Sequence, residues 1–185
     1  ARQPVLLALD WGTSSLRGWL MTDTGQILKE YRSKHGILNL PKDGFAAVIE
    51  ELMRLWDLSS LPAAVACGMV GSANGWAEAP YLACPVSPDA LAASLSHVQT
   101  GRGMLSIIPG VRDDGPVPDV MRGEETQILG ALALYPELAE DVTIVLPGTH
   151  SKWAQVRQGR IGGFRTFMTG ELYAVLKQHS ILGRL

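Results

Sequence analysis

Residues 5–34 hold three apolar runs separated by two tight turns, a spacing that allows little except an antiparallel meander. The runs span 5–10, 15–22 and 26–34. The second turn, Asp23-Thr-Gly-Gln26, has the chemistry of a reversal, because Gly accepts φ > 0 and an Asp side chain bonds nearby backbone. The first turn is richer. An apolar run, V-L-L-A-L-D, ends in Asp10, and a loop of Gly12, Thr13, Ser14 and Ser15 follows. A plain hairpin accounts for these as ordinary turn residues. A phosphate site accounts for them equally well. Backbone N–H groups of such a turn converge on an anion, hydroxyls add donors, and a carboxylate holds Mg²⁺ through water. This stretch alone leaves both readings open.

After the meander the period changes. Phe45, Val48, Ile49, Leu52, Met53 and Trp56 recur on one face, which predicts a helix over 43–56 with Asp43 as its N-cap. Ala63 to Val70 is a continuous apolar run of strand length, as in a strand buried on both faces. A loop opens at 71–76, a short helix is expected within 89–97 and a strand over 104–109. Asp113-Asp-Gly-Pro-Val-Pro118 reads as a linker. Beyond it the spacing predicts a helix over 123–134, with Ile128, Leu129 and Leu132 inward. Strands follow over 142–146, 152–156 and 161–168, the first two joined by Pro147-Gly-Thr-His-Ser151. A helix begins near Thr169 and reaches Gln178. The second half therefore repeats the layout of the first, again with a Gly-Thr turn. Two related half-domains facing a cleft, 1–115 and 116–185, account for the repetition, and the fold class is α/β.

The chain has apolar material for such cores, since 46% of its 185 residues are hydrophobic and 18% charged. Its net charge of −2 offers no basic excess to a nucleic-acid backbone. No apolar run approaches bilayer length. Cys67 and Cys84 show no zinc-ligand spacing and read as free thiols in a reducing compartment. The start, Ala-Arg-Gln-Pro, lacks a signal-peptide layout, so a cytoplasmic location is expected.

Four further stretches bear chemistry. Leu146 to Trp153 offers Gly148, Thr149 and Ser151 between strands, with His150 and Lys152 beside them. That set suits a phosphate, and an exposed hairpin with solvated charges is the alternative. Two such turns, one per half, would grip a polyphosphate from both sides; neither is G-x-x-x-x-G-K-[ST]. Val120 to Gln127 sets Glu124 and Glu125 in the first turn of a helix. Acids there complement the helix dipole, and either is also placed to act as a general base. On these residues alone the dipole reading is the stronger. Arg122 beside them suits a substrate carboxylate by a bidentate bond. Gly68 to Leu82 brings Ser72, Asn74, Trp76, Glu78 and Tyr81 to the end of a buried strand, where α/β proteins bind ligands. Polar groups with an aromatic wall suit a sugar-like molecule; a packed loop with Trp76 and Tyr81 as core is the alternative. Finally, Thr169 or Gly170 opens a helix N-terminus, a ready anion site, where Glu171 reads as a helix-start acid. His35, His97 and His179 read as structural or surface residues.

Taken in order, L-D-W-G-T-S-S-L-R-G-W-L, G-M-V-G-S-A-N-G-W-A-E-A-P-Y-L, I-I-P-G-V, V-M-R-G-E-E-T-Q-I-L-G-A, L-P-G-T-H-S-K-W and F-M-T-G-E-L-Y-A-V-L-K-Q-H-S-I-L-G resemble the 2-keto-3-deoxygalactonate kinase family. The resemblance covers residues 7–183 and places the chain in the sugar kinase, Hsp70 and actin superfamily. It implies a ribonuclease-H-like (actin-like ATPase) domain with a mixed sheet and flanking helices, followed by the start of a second similar domain. It also implies that the family's late adenosine-binding segment lies beyond residue 185. The implied reaction moves a phosphoryl group from ATP, with Mg²⁺, to the 6-hydroxyl of 2-dehydro-3-deoxy-D-galactonate. By that resemblance Asp10 organises Mg²⁺ and phosphate. Gly12, Thr13, Ser14, Gly148, Thr149, Ser151 and Lys152 hold phosphate, and Glu124 is the base. Arg17, Ser72, Trp76, Tyr81 and Arg122 face the sugar acid. A homo-oligomer is compatible with the family. The rival readings are another sugar or sugar-acid kinase of the same fold, and a non-catalytic actin-like ATP-binding regulatory module.

Overall fold

The computed structural model describes residues 3–42 and 44–184; the expected N-cap Asp43 lies outside the described residues. In chain order the strands are β1 (Leu6–Trp11), β2 (Leu16–Met21), β3 (Ile27–Ser33), β4 (Ala63–Cys67), β5 (Tyr81–Ala83), β6 (Ser96–Thr100), β7 (Gly103–Ile107), β8 (Gly110–Asp113), β9 (Asp119–Met121), β10 (Asp141–Leu146), β11 (Ser151–Arg157) and β12 (Arg160–Phe167). The α-helices are α1 (Gly44–Trp56), α2 (Pro88–Ala92), α3 (Glu124–Leu134) and α4 (Thr169–His179). Two compact units result: residues up to Tyr81 with Leu91–Gly110, and Leu82–Ala90 with residues from Val111 onward. None of the described helices is long and apolar enough to cross a membrane.

The first unit is built on a mixed six-stranded sheet of order β3-β2-β1-β4-β7-β6. The meander β1-β2-β3 is antiparallel, β1 runs parallel to β4, and β4 parallel to β7. Alternation along β1 turns Leu7, Leu9 and Trp11 inward, the period-2 pattern of a strand with one covered face. The predicted stripe of α1 is buried in the same hydrophobic cluster: Val48, Ile49, Leu52, Met53 and Trp56. Leu105 and Ile107 of β7 complete that cluster.

Three expectations are corrected here. The apolar run from Ala63 does not stay extended to Val70; β4 stops at Cys67. Gly68 then takes φ 92°, and a Cβ there would lie 2.8 Å from the Trp11 carbonyl, so the backbone leaves the sheet at a residue without one. The helix expected within 89–97 is only the five-residue α2, and Ser96–Thr100 pairs antiparallel with β7 as an edge strand. Its polar alternation, His97 and Gln99 against Val98, carries no helical period. Asp113 to Pro118 connects β8 to β9 of one antiparallel pair. It is a hairpin loop within the second unit.

The second unit holds two three-stranded sheets, β10-β11-β12 and β5-β8-β9. The order strand, Gly-Thr turn, strand, turn, strand, helix is realised twice in the chain, as β1-β2-β3-α1 and β10-β11-β12-α4. Ile161 and Phe164 of β12, Val156 of β11, Met121 of β9 and Ile128 of α3 are buried. Asp113 ties the hairpin loop to β12. Its carboxylate accepts from Gly115 N–H at 2.9 Å, Phe164 N–H at 3.1 Å and Arg165 Nη1 at 3.1 Å. Those donors, the backbone N–H of Gly115 foremost, hold its carboxyl below the usual range. A Cβ on Gly163 would stand 2.9 Å from Asp113 Oδ2, so β12 carries glycine where the carboxylate reaches it.

Candidate functional site

The β1–β2 turn is shaped by what ties its carbonyls. Gly12 N–H donates to Ser15 O at 2.9 Å, Ile37 N–H to Gly12 O at 3.0 Å, and Leu38 N–H to Thr13 O at 3.1 Å. Asn39 Nδ2 reaches Ser14 O at 3.5 Å. A Cβ on Gly36 would collide with Ser15 N and Thr13 O, so residues 36–39 lie directly on the turn. With all four carbonyls committed to neighbouring donors, the turn shows solvent the exposed side chains of Thr13 and Ser14. That arrangement favours an anion over a cation at the turn. Sequence reading missed Gly36, whose role comes from a close approach that no local pattern encodes.

Asp10 faces Arg17 across the ladder, as the register pairs them. Arg17 Nε donates to Asp10 Oδ2 at 3.1 Å, and Nη2 bonds the same oxygen. The pair is partly exposed, and exposed ion pairs are worth little, so an ion or phosphate can replace either partner. Among the described residues no three His, Cys, Asp or Glu side chains group as a metal cage. Mg²⁺ needs none, because it binds through one or two carboxylates with phosphate oxygens and waters. Asp10, with Oδ1 outside the Arg17 bonds and hydroxyls nearby in sequence, fits an ion delivered with a polyphosphate.

The loop after β4 is more structural than its composition indicates. Ser72 Oγ donates to Met69 O at 2.8 Å and closes a 3₁₀ turn at Met69–Gly71. The Trp76 ring stacks on Phe45 at 5.4 Å and meets Trp11 edge-on at 6.2 Å. Offset and edge contacts of this kind add about 0.5–1.5 kcal/mol each beyond area burial, which is reason enough for Trp76 without a ligand. Tyr81 is exposed on β5.

In the second unit Gly148, Thr149 and His150 are exposed on the β10–β11 turn. The turn is held against the start of α4. Thr149 O accepts from Glu171 N–H at 3.1 Å, His150 Nε2 lies 2.6 Å from Glu171 Oε2, and Ser151 Oγ bonds Thr169 Oγ1. A Cβ on Gly170 would stand 2.5 Å from Gly148 O. Ser151 is buried and engaged inward. Lys152 is also turned inward, a correction to its expected place on a phosphate. Its ammonium is taken by Val120 O and Thr166 Oγ1, both at 2.6 Å, and by Asp119 Oδ1 at 3.7 Å.

At the start of α3 the two acids part company. Glu125 is fully buried, its Oε2 accepting Gly123 N–H at 2.6 Å and its Oε1 accepting the Thr126 hydroxyl at 3.2 Å. Burial pushes its carboxyl up to about 7. Glu124 is half-buried, and its Oε2 accepts the backbone N–H of Arg122 at 3.1 Å. Sequence held a signal for this. Met121, Glu125, Ile128 and Leu132 fall at i, i+4, i+7 and i+11, so Glu125 sits in an apolar stripe. Leu129, expected inward, is only half-buried. Both cysteines are free. Burial pushes the Cys84 thiol up to about 11, which suppresses a reactive thiolate.

Comparison with known proteins gives the following. The family model for 2-keto-3-deoxy-galactonokinase matches residues 10–185. The 2-dehydro-3-deoxygalactonokinase of Escherichia coli (strain K12) is 41% identical over 180 residues, which is 96% of this chain and 58% of that protein. The crystal structure of a Sinorhizobium meliloti protein assigned as a 2-dehydro-3-deoxygalactonokinase superposes with a TM-score of 0.88 at 38% identity, covering 97% of this chain and 59% of that one. A Ppx/GppA family member from Aquifex aeolicus gives a TM-score of 0.52 at 14% identity, over 92% of this chain and 53% of that one, a likeness of fold alone. The architecture is that of the ribonuclease-H-like, actin-like ATPase class. The chain spans somewhat more than half the length of the relatives it matches.

Proposed function

The chain belongs to the 2-keto-3-deoxy-galactonokinase family, and from that premise we propose a carbohydrate kinase that moves the terminal phosphoryl group of ATP to the 6-hydroxyl of 2-dehydro-3-deoxy-D-galactonate. The observation that supports this most is the β1–β2 turn, with its carbonyls tied back and the Thr13 and Ser14 side chains outward. Phosphoryl transfer asks a protein for positioning and charge stabilisation more than for covalent chemistry. Gly12, Thr13 and Ser14 take phosphate oxygens in the first unit, and Gly148 and Thr149 are the matching candidates in the second. Asp10 takes Mg²⁺, which supplies charge neutralisation to the phosphate oxygens. Glu124 is the base, because its half-buried carboxylate is accessible where that of Glu125 is not. Arg122, Arg17 and Tyr81 orient the sugar acid, while Ser72 and Trp76 shape the loop after β4.

Turnover by the intact protein tests the reading. ATP consumption should depend on 2-dehydro-3-deoxygalactonate and yield one phosphorylated sugar acid per ADP. Asp10→Asn should lower kcat by about a hundredfold or more, the scale of lost charge stabilisation, and leave sugar-acid binding little changed. ATP consumption indifferent to every sugar acid would favour the regulatory-module reading.

A further inference from the structure

Lys152 is the second residue of β11, three positions after Thr149 of the Gly148–Thr149 turn, yet its side chain is only 9% exposed. Its Nζ donates to Val120 O and to Thr166 Oγ1, each at 2.6 Å, and lies 5.8 Å from the Phe164 ring centroid. The Thr166 hydroxyl passes its own hydrogen to Asp119 Oδ1 at 2.8 Å, and the same oxygen accepts Val120 N–H at 2.8 Å. Lys152, Thr166, Asp119 and Val120 thus close a ring of hydrogen bonds joining β9, β11 and β12. One end of the ring is fixed in the ladder, where Lys152 stands opposite Thr166 and Leu146. The other end is β9, whose chain continues through Met121, Arg122 and Gly123 into Glu124. A buried ammonium keeps its charge only where partners replace water, and removing one partner strands the rest. Loss of any one member of the ring therefore leaves the others short of a partner.

We propose that Lys152 is a positioning residue: through this ring it holds the Gly148–Thr149 turn and the Glu124 segment in one fixed spatial register, and it is not a phosphate ligand. The inference rests on the kinase reading and deepens it. A turn that holds phosphate and a carboxylate that receives the hydroxyl proton must keep their separation, since small misplacements of reacting groups are costly. One ammonium, carried on the strand that follows the turn and bonded to β9, the strand that leads into Glu124, supplies that constraint without touching either substrate.

The test uses Lys152→Met, which keeps the aliphatic stem, and Thr166→Val, which deletes one hydroxyl of the ring. Both variants of the intact protein should lose about a hundredfold in kcat, with KM for ATP kept within about threefold. Amide hydrogen exchange at 122–126 and 148–151 should quicken by about tenfold while that at 153–156 holds. A lower Tm with kcat and exchange unchanged would make Lys152 an ordinary strut and overturn the proposal. A raised KM for ATP with kcat retained, and a silent Thr166→Val, would make it a phosphate ligand and overturn it as well. If Lys152→Met does not fold, Thr166→Val gives the same readouts. If the wild-type protein phosphorylates no sugar acid, the kinase reading falls, and exchange at the two segments still decides whether the ring holds them together.

Discussion

Glu124 and Glu125 are adjacent in the chain and meet different fates within one helical turn. Glu125 lies inward and caps its own helix; Glu124 stays half-buried at the surface. Burial raises the Glu125 carboxyl to about 7 from an ordinary value of 4.5. Between those values the folded chain holds a proton that the unfolded chain has released. Stability therefore falls as pH rises through that window, by on the order of 3 kcal/mol in full. Glu125→Gln cannot release the proton, so its urea midpoint should decline less than that of wild type between pH 5 and pH 8. Parallel declines would contradict the burial argument. For kinetics the expectation is reversed in weight: Glu124→Gln should remove the base, with a loss of about a hundredfold or more in kcat, while Glu125→Gln should act mainly on stability. If Glu125→Gln abolishes turnover and Glu124→Gln does not, the assignment is reversed. The sequence made both acids visible as a helix start. The spacing of Met121, Glu125, Ile128 and Leu132 carries a signal for the burial of Glu125, but the roles of the two acids stayed open, because dipole and catalytic readings use the same residue types at the same place.

At the scale of elements, α1 was legible in full because its six apolar residues repeat at helical spacing, and five of them are buried as the stripe requires. The edge strand β6 was not legible, since five residues with polar alternation acquire strand identity only by pairing with β7. The β1–β2 turn shows the same contrast. Its Gly, Thr and Ser are plain in the sequence, whereas the segment that braces it begins twenty-one residues beyond Ser15, at Gly36. Gly36→Ala should push a methyl into the turn backbone and displace Thr13 and Ser14, lowering kcat by about a hundredfold with a modest fall in Tm. Gly101→Ala places its methyl in open space and should change neither. Equal kinetics for the two variants would mean that residues 36–39 merely cover the turn.

At the scale of the whole molecule, each unit repeats a meander followed by a helix, but the two helices are buried to very different extents. Helix α1 is stitched into a core, while α4 has no buried residue. Leu172, Val175 and Leu176 on α4 are each about half exposed, and so are Trp153 and Phe167, which touch edge-on on the β10-β11-β12 sheet. Exposed apolar surface of that kind drives association. The 185-residue chain should therefore self-associate with rising concentration, and Trp153→Lys with Leu176→Glu should weaken this in light scattering. A strictly monomeric chain at all concentrations would count against it. The repeated strand order, the α1 stripe and the two Gly-Thr turns follow from the sequence by itself, because period and turn chemistry act between residues close along the chain. Tertiary structure alone decided that Asp113 would pin β12, that Trp76 would join an aromatic cluster and that Lys152 would turn inward. Each of these depends on which distant segment arrives to replace water around a polar or aromatic group. Asp113 and Phe164 are 51 residues apart, and no local period encodes that meeting.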